Sequence, residues 1–233
     1  MTICGFLTLH VFIMRTLIFA NGELDHLPIK IQPDDFIIAA DGGARHCLQL
    51  GLTPNVIIGD FDSLTAEELT SLETAGARLI RHPARKDETD LELALLQAIE
   101  LGASEVVILG ALGARWDMSL ANLLLLTHPN LRHPHVRVLD GHQEITLLRG
   151  GERIELRGQP GDTLSIIPLR GDARGITTQG LEYPLDRGSL LFGATRGISN
   201  VLLHQIASVT LEDGLLLCVV IRHEEVNKFT RYT

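Results

Sequence analysis

Up to Asp140 the chain alternates short apolar runs with stretches of helical period; beyond it only the short runs continue. The runs Thr16–Ala20, Phe36–Ala40, Val56–Ile58, Arg78–Arg81, Val106–Leu109 and Val136–Leu139 are built mainly from Ile, Val, Leu and Phe. Between them Gly43–Leu50, Thr65–Ala75, Thr89–Leu101 and Ser119–Leu126 read as helices, and Leu91, Leu95 and Ile99, joined by Leu96, repeat at i, i+4. Strands that alternate with helices predict an α/β unit, a mostly parallel sheet with helices on both faces. After residue 143 the grammar changes to ITLLRG, ERIELRG, DTLSIIPL, GITTQG, GSLLFG, ASVTLEDG and LLLCVVIR. Turn signals such as Gln159-Pro160-Gly161-Asp162 and Glu212-Asp213-Gly214 separate these runs. Regularly spaced short strands predict an all-β sandwich, jelly-roll-like, or a barrel. We therefore expect an α/β unit over residues 14–141 and a β unit over 144–222, with the boundary at Gly141–Glu144 and a polar tail at 223–233.

A formal charge of −9 argues against a nucleic-acid partner, whose electrostatic footprint would be basic. Cys4, Cys47 and Cys218 form no CxxC pair, which predicts no disulfide framework and a reducing compartment, the cytoplasm. The opening MTICGFLTLHVFIM lacks the basic start and the small-residue cleavage site of a signal peptide. Arg15 interrupts it before the ~20 apolar residues a bilayer span needs, so no membrane partner is expected. Met14 begins the natural first strand, and residues 1–13 read as an extension from an upstream start. The ten histidines are dispersed, and His133-Pro134-His135 reads as a surface connection rather than a ligand pair.

In a parallel α/β sheet, ligands collect outside the carboxyl ends of the strands. The polar clusters of the first half sit at such ends. Phe36–Ala40 runs into Asp41-Gly42-Gly43, Val56–Ile58 into Gly59-Asp60-Phe61-Asp62-Ser63, and Val106–Leu109 into the loop Gly110–Asp117. A fourth cluster, Arg85–Asp90, opens the helix Thr89–Leu101. Each has an ordinary reading on its own. Thr65 with Glu68 and Thr89 with Glu92 make capping boxes, Asp90 suits the first turn of a helix, and Asp41-Gly42 suits a turn. Their conjunction asks for more. Two carboxylates ~4 Å apart repel by ~4 kcal/mol at an effective dielectric near 20, so several at one sheet edge call for a cation. Oxygen donors without His or Cys point to Mg²⁺ rather than zinc. Gly42-Gly43, and Gly110 with Gly113, precede helices and offer bare backbone to a phosphate, while Lys86, Arg85 and Arg115 add positive charge. These parts suggest a nucleoside triphosphate, although the chain carries neither GxGxxG nor GxxxxGK[ST].

ADGGA (40–44), GDFDS (59–63), KDETDLELAL (86–95), the Gly110–Asp117 loop running into SLANLLLL, and GISN (197–200) stand in an order that closely resembles the thiamine pyrophosphokinase family, from Met14 to about Ile221. The resemblance implies an ATP-binding α/β domain, a β-sandwich that helps bind thiamine, and a homodimer with active sites between subunits. It implies transfer of the pyrophosphoryl group of ATP to the hydroxyethyl oxygen of thiamine, giving thiamine diphosphate and AMP. By the same resemblance Asp60, Asp62 and Asp90 hold Mg²⁺ and Asp41 borders that site. Lys86 and Thr89 line the pocket, and Arg115 and Asp117 stand at the triphosphate and thiamine. Ser199 and Asn200, with Arg196 nearby, face thiamine from the β domain. Asp90 and Asp117 are candidates to orient or deprotonate the thiamine hydroxyl. Family members commonly carry His after the Asp of Arg-x-Asp, where this chain has Met118. Trp116 fits packing or stacking on a ring, and Tyr183 fits packing or a substrate contact.

Two other readings compete. A haloacid-dehalogenase-like phosphatase also places Asp-x-Asp after a strand, with Asp60 then the nucleophile, but its metal site needs an acidic pair after a later strand. A nucleotide-sensing binding protein without catalysis would not require Lys86, Asp90 and Arg115 together.

Overall fold

The computed structural model describes residues 14–223, so the expected upstream extension, Cys4 and all but the first residue of the expected polar tail lie outside the described residues. Six strands of the first half are β1 (Arg15–Phe19), β2 (Phe36–Ala40), β3 (Val56–Gly59), β4 (Arg78–Arg81), β5 (Glu105–Leu109) and β6 (His135–Asp140). Helices α1 (Ala44–Gln49), α2 (Ala66–Thr74), α3 (Asp90–Glu100) and α4 (Trp116–Leu125) connect them. Strands β1 to β6 all pair in parallel. Period-2 geometry sends alternate residues to opposite faces. Ile18, Ile38, Ile58 and Ile108 meet Leu91, Ala94, Leu95 and Ala98 of α3 on one face. Leu17, Phe19, Ile57 and Leu109 meet Cys47 of α1 and Leu72 of α2 on the other. The buried stripe of α3 thus runs through two alanines, with Ile99 only partly covered.

Helix starts follow local chemistry. Thr65 and Glu68 make the expected reciprocal box: Glu68 N donates to Thr65 Oγ1 at 3.2 Å and Thr65 N to Glu68 Oε2 at 2.7 Å. Thr89 caps α3 by accepting from Glu92 N at 3.2 Å. Helix α4 begins three residues before the expected Ser119, at Trp116, which puts Asp117 in its first turn.

The second half supplies β7 (Gln143–Arg149), β8 (Arg153–Arg157), β9 (Thr163–Pro168), β10 (Ala173–Gln179), β11 (Gly188–Leu190), β12 (Asn200–Val201), β13 (Ile206–Thr210) and β14 (Leu215–Ile221). The expected boundary at Gly141–Glu144 falls in the turn of an antiparallel hairpin, β6 with β7. The sheet therefore does not end there. Its ten strands run β12-β9-β14-β7-β6-β5-β1-β2-β3-β4. What changes at the hairpin is the cover: a second sheet, β11-β10-β13-β8, replaces the helices. Leu148, Leu164, Ile166, Leu216 and Val220 of the long sheet interlock with Leu156, Ile176, Ala207 and Val209 of the short one, a sandwich core. Among the described residues no helix is long and apolar enough to cross a membrane.

Candidate active site

The carboxyl ends of β1, β2, β3 and β5, with the first turns of α3 and α4, enclose a cleft of about 560 Å³. Its acidic wall is set by backbone conformations that side chains rarely adopt. Asp41 has φ 43° and Phe61 φ 67°, both positive at non-glycine residues. Each such residue costs about 1–3 kcal/mol and persists only where its surroundings hold it. Phe61 is held by burial, at 5% exposure, in the core beneath β3. Arg81, at the end of β4, clamps the same loop: Nη1 donates to the Asp60 carbonyl at 2.7 Å, and the guanidinium lies 4.6 Å from the Phe61 ring centroid. With Phe61 turned into the core, Asp60 and Asp62 are left on the outer side. One carboxylate oxygen from each of Asp41, Asp60 and Asp62 falls within 4.8 Å of the others.

The residues present fit a hard cation. The span is close to the ~4.2 Å across an octahedral Mg²⁺, twice its ~2.1 Å bond length. Asp41 Oδ1 is buried and has no hydrogen-bond partner among the described residues. A charged acceptor left so is costly unless something positive arrives. Asp90 stands beside the trio rather than in it. Its Oδ1 lies 3.0 Å from Lys86 Nζ. Burial raises the Asp90 carboxyl above the ordinary range, Lys86 opposes that, and Asp41 and Asp60 add to the rise. Gly59 sits where these groups meet, at φ 153°: a Cβ there would fall 3.0 Å from Asp41 Cβ and 3.1 Å from Asp90 Oδ1.

Of the expected residues, Asp41, Asp60, Lys86, Thr89, Asp90, Gly113 and Arg115 line the cleft, and Asp62 joins at its exposed rim. Three glycines do not. A Cβ on Gly42 would meet the Asn21 side chain at 2.3 Å, and one on Gly43 the Phe19 carbonyl oxygen at 2.0 Å. A Cβ on Gly110, at φ 65°, would fall 2.8 Å from the Ala20 carbonyl oxygen. At all three, neighbouring protein fills the space a side chain would need, which accounts for glycine there without a ligand. Gly113 N donates to Ser119 Oγ at 3.1 Å. Arg115 and Asp117 pair with each other at 2.5 Å, both well exposed. That pairing holds the Asp117 carboxyl below its ordinary range, helped by the Met118 backbone N–H. Asp117 is outside the cleft lining, whereas Met118 is in it.

The expected thiamine contacts lie elsewhere. Asn200 pairs with Leu164, and the row continues through Val220, Glu144, Leu139, Leu109 and Phe19 to Ala39. Seven strand steps at ~4.8 Å put Asn200 roughly 34 Å from Ala39, two residues before Asp41. The Asn200 amide is already engaged: Oδ1 accepts from Tyr183 N at 3.0 Å and Nδ2 donates to Tyr183 O at 2.8 Å. Within one chain, this side chain acts as a strut that fixes exposed Tyr183. Ser199 has φ 60° and donates its N–H to Ser165 Oγ at 3.0 Å, leaving its hydroxyl, like the Arg196 side chain, at the surface.

Sequence reasoning passed over the loop after β1. Asn21, Gly22 and Glu23 line the cleft, and Gly22 N donates to Gly110 O at 2.7 Å where two strand-end loops cross. The strand-end rule applied to β1 would have found them. Ser119 and Asn122, buried on the cleft side of α4, were hidden in a leucine-rich run.

Comparison with known proteins agrees with this architecture. The family model described as "Thiamin pyrophosphokinase, catalytic domain" matches residues 29–139, and that described as "Thiamin pyrophosphokinase, vitamin B1 binding domain" matches 152–216. Thiamine pyrophosphokinase of Bacillus subtilis (strain 168) is 32% identical over 182 residues, 78% of this chain and 85% of that protein. The crystal structure of the B. subtilis protein superposes with a TM-score of 0.80 at 28% identity, covering 90% of this chain and all of that one. The structure from Geobacillus thermodenitrificans gives 0.79 at 28% identity, covering 91% and 99%. The phosphatase and the non-catalytic readings find no support among these matches.

Proposed function

The chain belongs to the thiamine pyrophosphokinase family, and we propose that its cleft binds ATP with Mg²⁺ and passes the pyrophosphoryl group to the hydroxyethyl oxygen of thiamine, releasing AMP. The observation that carries the reading is the convergence of Asp41, Asp60 and Asp62, with a buried and unpartnered Asp41 Oδ1, at the edge of a cleft large enough for a nucleotide. Asp41 takes the place expected of Asp90 in holding the ion. Mg²⁺ bound there would supply positive charge to the phosphate oxygens.

The remaining groups bind and orient. Lys86 and Arg115 offer positive charge to phosphate oxygens from two sides of the cleft. Asp90 has a carboxyl raised by burial and steadied by Lys86, so it suits holding the thiamine hydroxyl and drawing its proton as the oxygen attacks the β-phosphorus. Thiamine is a thiazolium cation, and the acidic rim attracts it.

The active unit is a homodimer in this reading. The Arg196–Asn200 edge is roughly 34 Å along the sheet from the acids of its own chain, so a second copy must bring it to the cleft. Apolar surface exists for that contact: Trp116, Leu120 and Leu124 form an exposed i, i+4, i+8 stripe on α4, and Leu191, Phe192 and Ile198 are exposed beside the far edge. Cytoplasmic residence fits free, buried thiols at Cys47 and Cys218.

Incubation with ATP, Mg²⁺ and thiamine should yield AMP and thiamine diphosphate, and EDTA should stop it; ADP or free phosphate as the product instead would exclude pyrophosphoryl transfer. Asp62→Asn and Arg196→Ala should each be nearly inactive. Mixed and reassociated, they should recover about a quarter of wild-type activity, since half of randomly formed dimers hold one intact site of two.

A further inference from the structure

Helix α4 and its C-cap carry two buried polar side chains within the run Ser119-Leu120-Ala121-Asn122-Leu123-Leu124-Leu125-Leu126. The Ser119 hydroxyl is satisfied by Gly113, accepting from its N–H at 3.1 Å and donating to its carbonyl at 3.2 Å. Asn122 is satisfied on one side only. It is 5% exposed, and Nδ2 donates to the Ala111 carbonyl at 2.7 Å. Oδ1 has no partner among the described residues, and the residue lines the cleft. The Ala111 bond also sets the amide's orientation, because a flip would press Oδ1 against a carbonyl oxygen, acceptor to acceptor. A leucine would continue the run with no unpaired atom. The asparagine instead holds a fixed, buried acceptor toward the space a ligand enters.

We propose that Asn122 is a specificity-determining residue whose Oδ1 accepts a hydrogen bond from an N–H or O–H donor on the nucleoside half of ATP. The proposal rests on the reading that this cleft takes ATP. Phosphate oxygens carry no proton to give near neutrality and would meet Oδ1 as a second acceptor, so the triphosphate lies toward the acids and their cation. The nucleoside carries donors, the ribose hydroxyls and the adenine amine, and Leu91, Leu112 and Met118 give the same cleft apolar walls for a base. Thiamine also carries donors, but apart from Asp90 and Asp117 at its hydroxyl, the residues expected to hold it, Arg196, Ser199 and Asn200, would approach from the second copy.

Calorimetry on the full chain with Mg²⁺ and non-hydrolysable ATP tests this, using analogues that lack the 2′-hydroxyl, the 3′-hydroxyl or the 6-amino group. Wild type should bind one analogue at least roughly tenfold more weakly than the parent, because its buried acceptor is then left unmade. In Asn122→Ala and Asn122→Leu that same deletion should change nothing, and the analogue concerned identifies hydroxyl or amine. Variants that weaken the parent and every analogue equally would make Asn122 a strut or the seat of a water, and overturn the proposal. So would a wild type indifferent to all three deletions, even if neither variant folds. A folded wild type that binds no ATP analogue at all is a different result, and it removes the ATP reading beneath.

Discussion

Gly59→Ala tests whether the acidic cluster is assembled by backbone or merely accumulated. Gly59 ends β3 at φ 153°, and the added Cβ would sit 3.0 Å from Asp41 Cβ and 3.1 to 3.2 Å from the Asp90 carboxylate. The backbone conformation alone should cost about 1–3 kcal/mol. At about 2–4 °C per kcal/mol for a chain of this size, the melting temperature should fall by roughly 2–12 °C while the protein stays folded at 25 °C. The contacts require Asp41 and Asp90 to retreat by a few tenths of an ångström, on the side where the cation and the phosphates must both fit. Misplacement of this order should reduce turnover by roughly 3- to 10-fold, since 1 Å costs about 100-fold. The Mg²⁺ concentration for half-maximal activity should rise with it. Circular dichroism melting and a Mg²⁺ titration of AMP release measure the two effects separately. A variant with the expected loss of stability but wild-type turnover and Mg²⁺ dependence would refute the idea that Asp41 and Asp90 meet over Gly59.

Two further outcomes are expected. Arg81→Ala frees the Asp60 carbonyl and uncovers Phe61, so the Mg²⁺ requirement should rise about 5- to 10-fold, the scale of an exposed hydrogen bond worth ~1–1.5 kcal/mol; Arg81→Lys should recover part of it. Unchanged Mg²⁺ dependence in Arg81→Ala would show that the loop keeps its shape unaided. Glu144 lies among Arg137 and Arg222 where β6 meets β7. Burial raises its carboxyl, but the two guanidinium groups outweigh this and hold it below the ordinary value of 4.5. A depressed folded-state value contributes stability that is complete above the ordinary carboxylate range and is lost as pH falls through the folded value. Denaturant unfolding should therefore show Glu144→Gln less stable than wild type by a constant amount above about pH 5, with the gap narrowing in more acid solution; a gap that does not narrow as the pH falls would assign the effect to packing.

The parts of the fold legible in the chain are those governed by local pattern. Strand β2 has the bounds expected of it because a continuous apolar run stops at the polar turn Asp41-Gly42, and β4 has its expected bounds as a short apolar pair flanked by arginines. The Thr65–Glu68 box works as expected, because capping needs only residues three apart. The continuity of the sheet through β6 and β7 was not legible. A change from helical to strand-only grammar is the same whether a sheet ends or exchanges its helical cover for a second sheet. Only the pairing of Arg137 to Asp140 with Gln143 to Thr146 distinguishes them, and that is a matter of register between strands.

The site divides along the same line. That several acids belong together follows from strand-end geometry in a parallel sheet plus the repulsion of like charges, and both are readable from residue types and positions. Which acids converge depends on side-chain direction. Asp41 joins Asp60 and Asp62 because two residues take positive φ and Phe61 turns into the core, whereas Asp90 is drawn to Lys86 in the loop before α3. The glycines are ambiguous for a related reason. Bare backbone looks alike in a sequence whether a phosphate or the protein's own chain comes close, and at Gly42, Gly43 and Gly110 the chain itself comes close. The ten-stranded sheet then has a consequence for function. Because one sheet joins both halves edge to edge, the Arg196–Asn200 edge lies far along it from the acids of its own chain, and in the proposed reading a site that used both would be built from two chains.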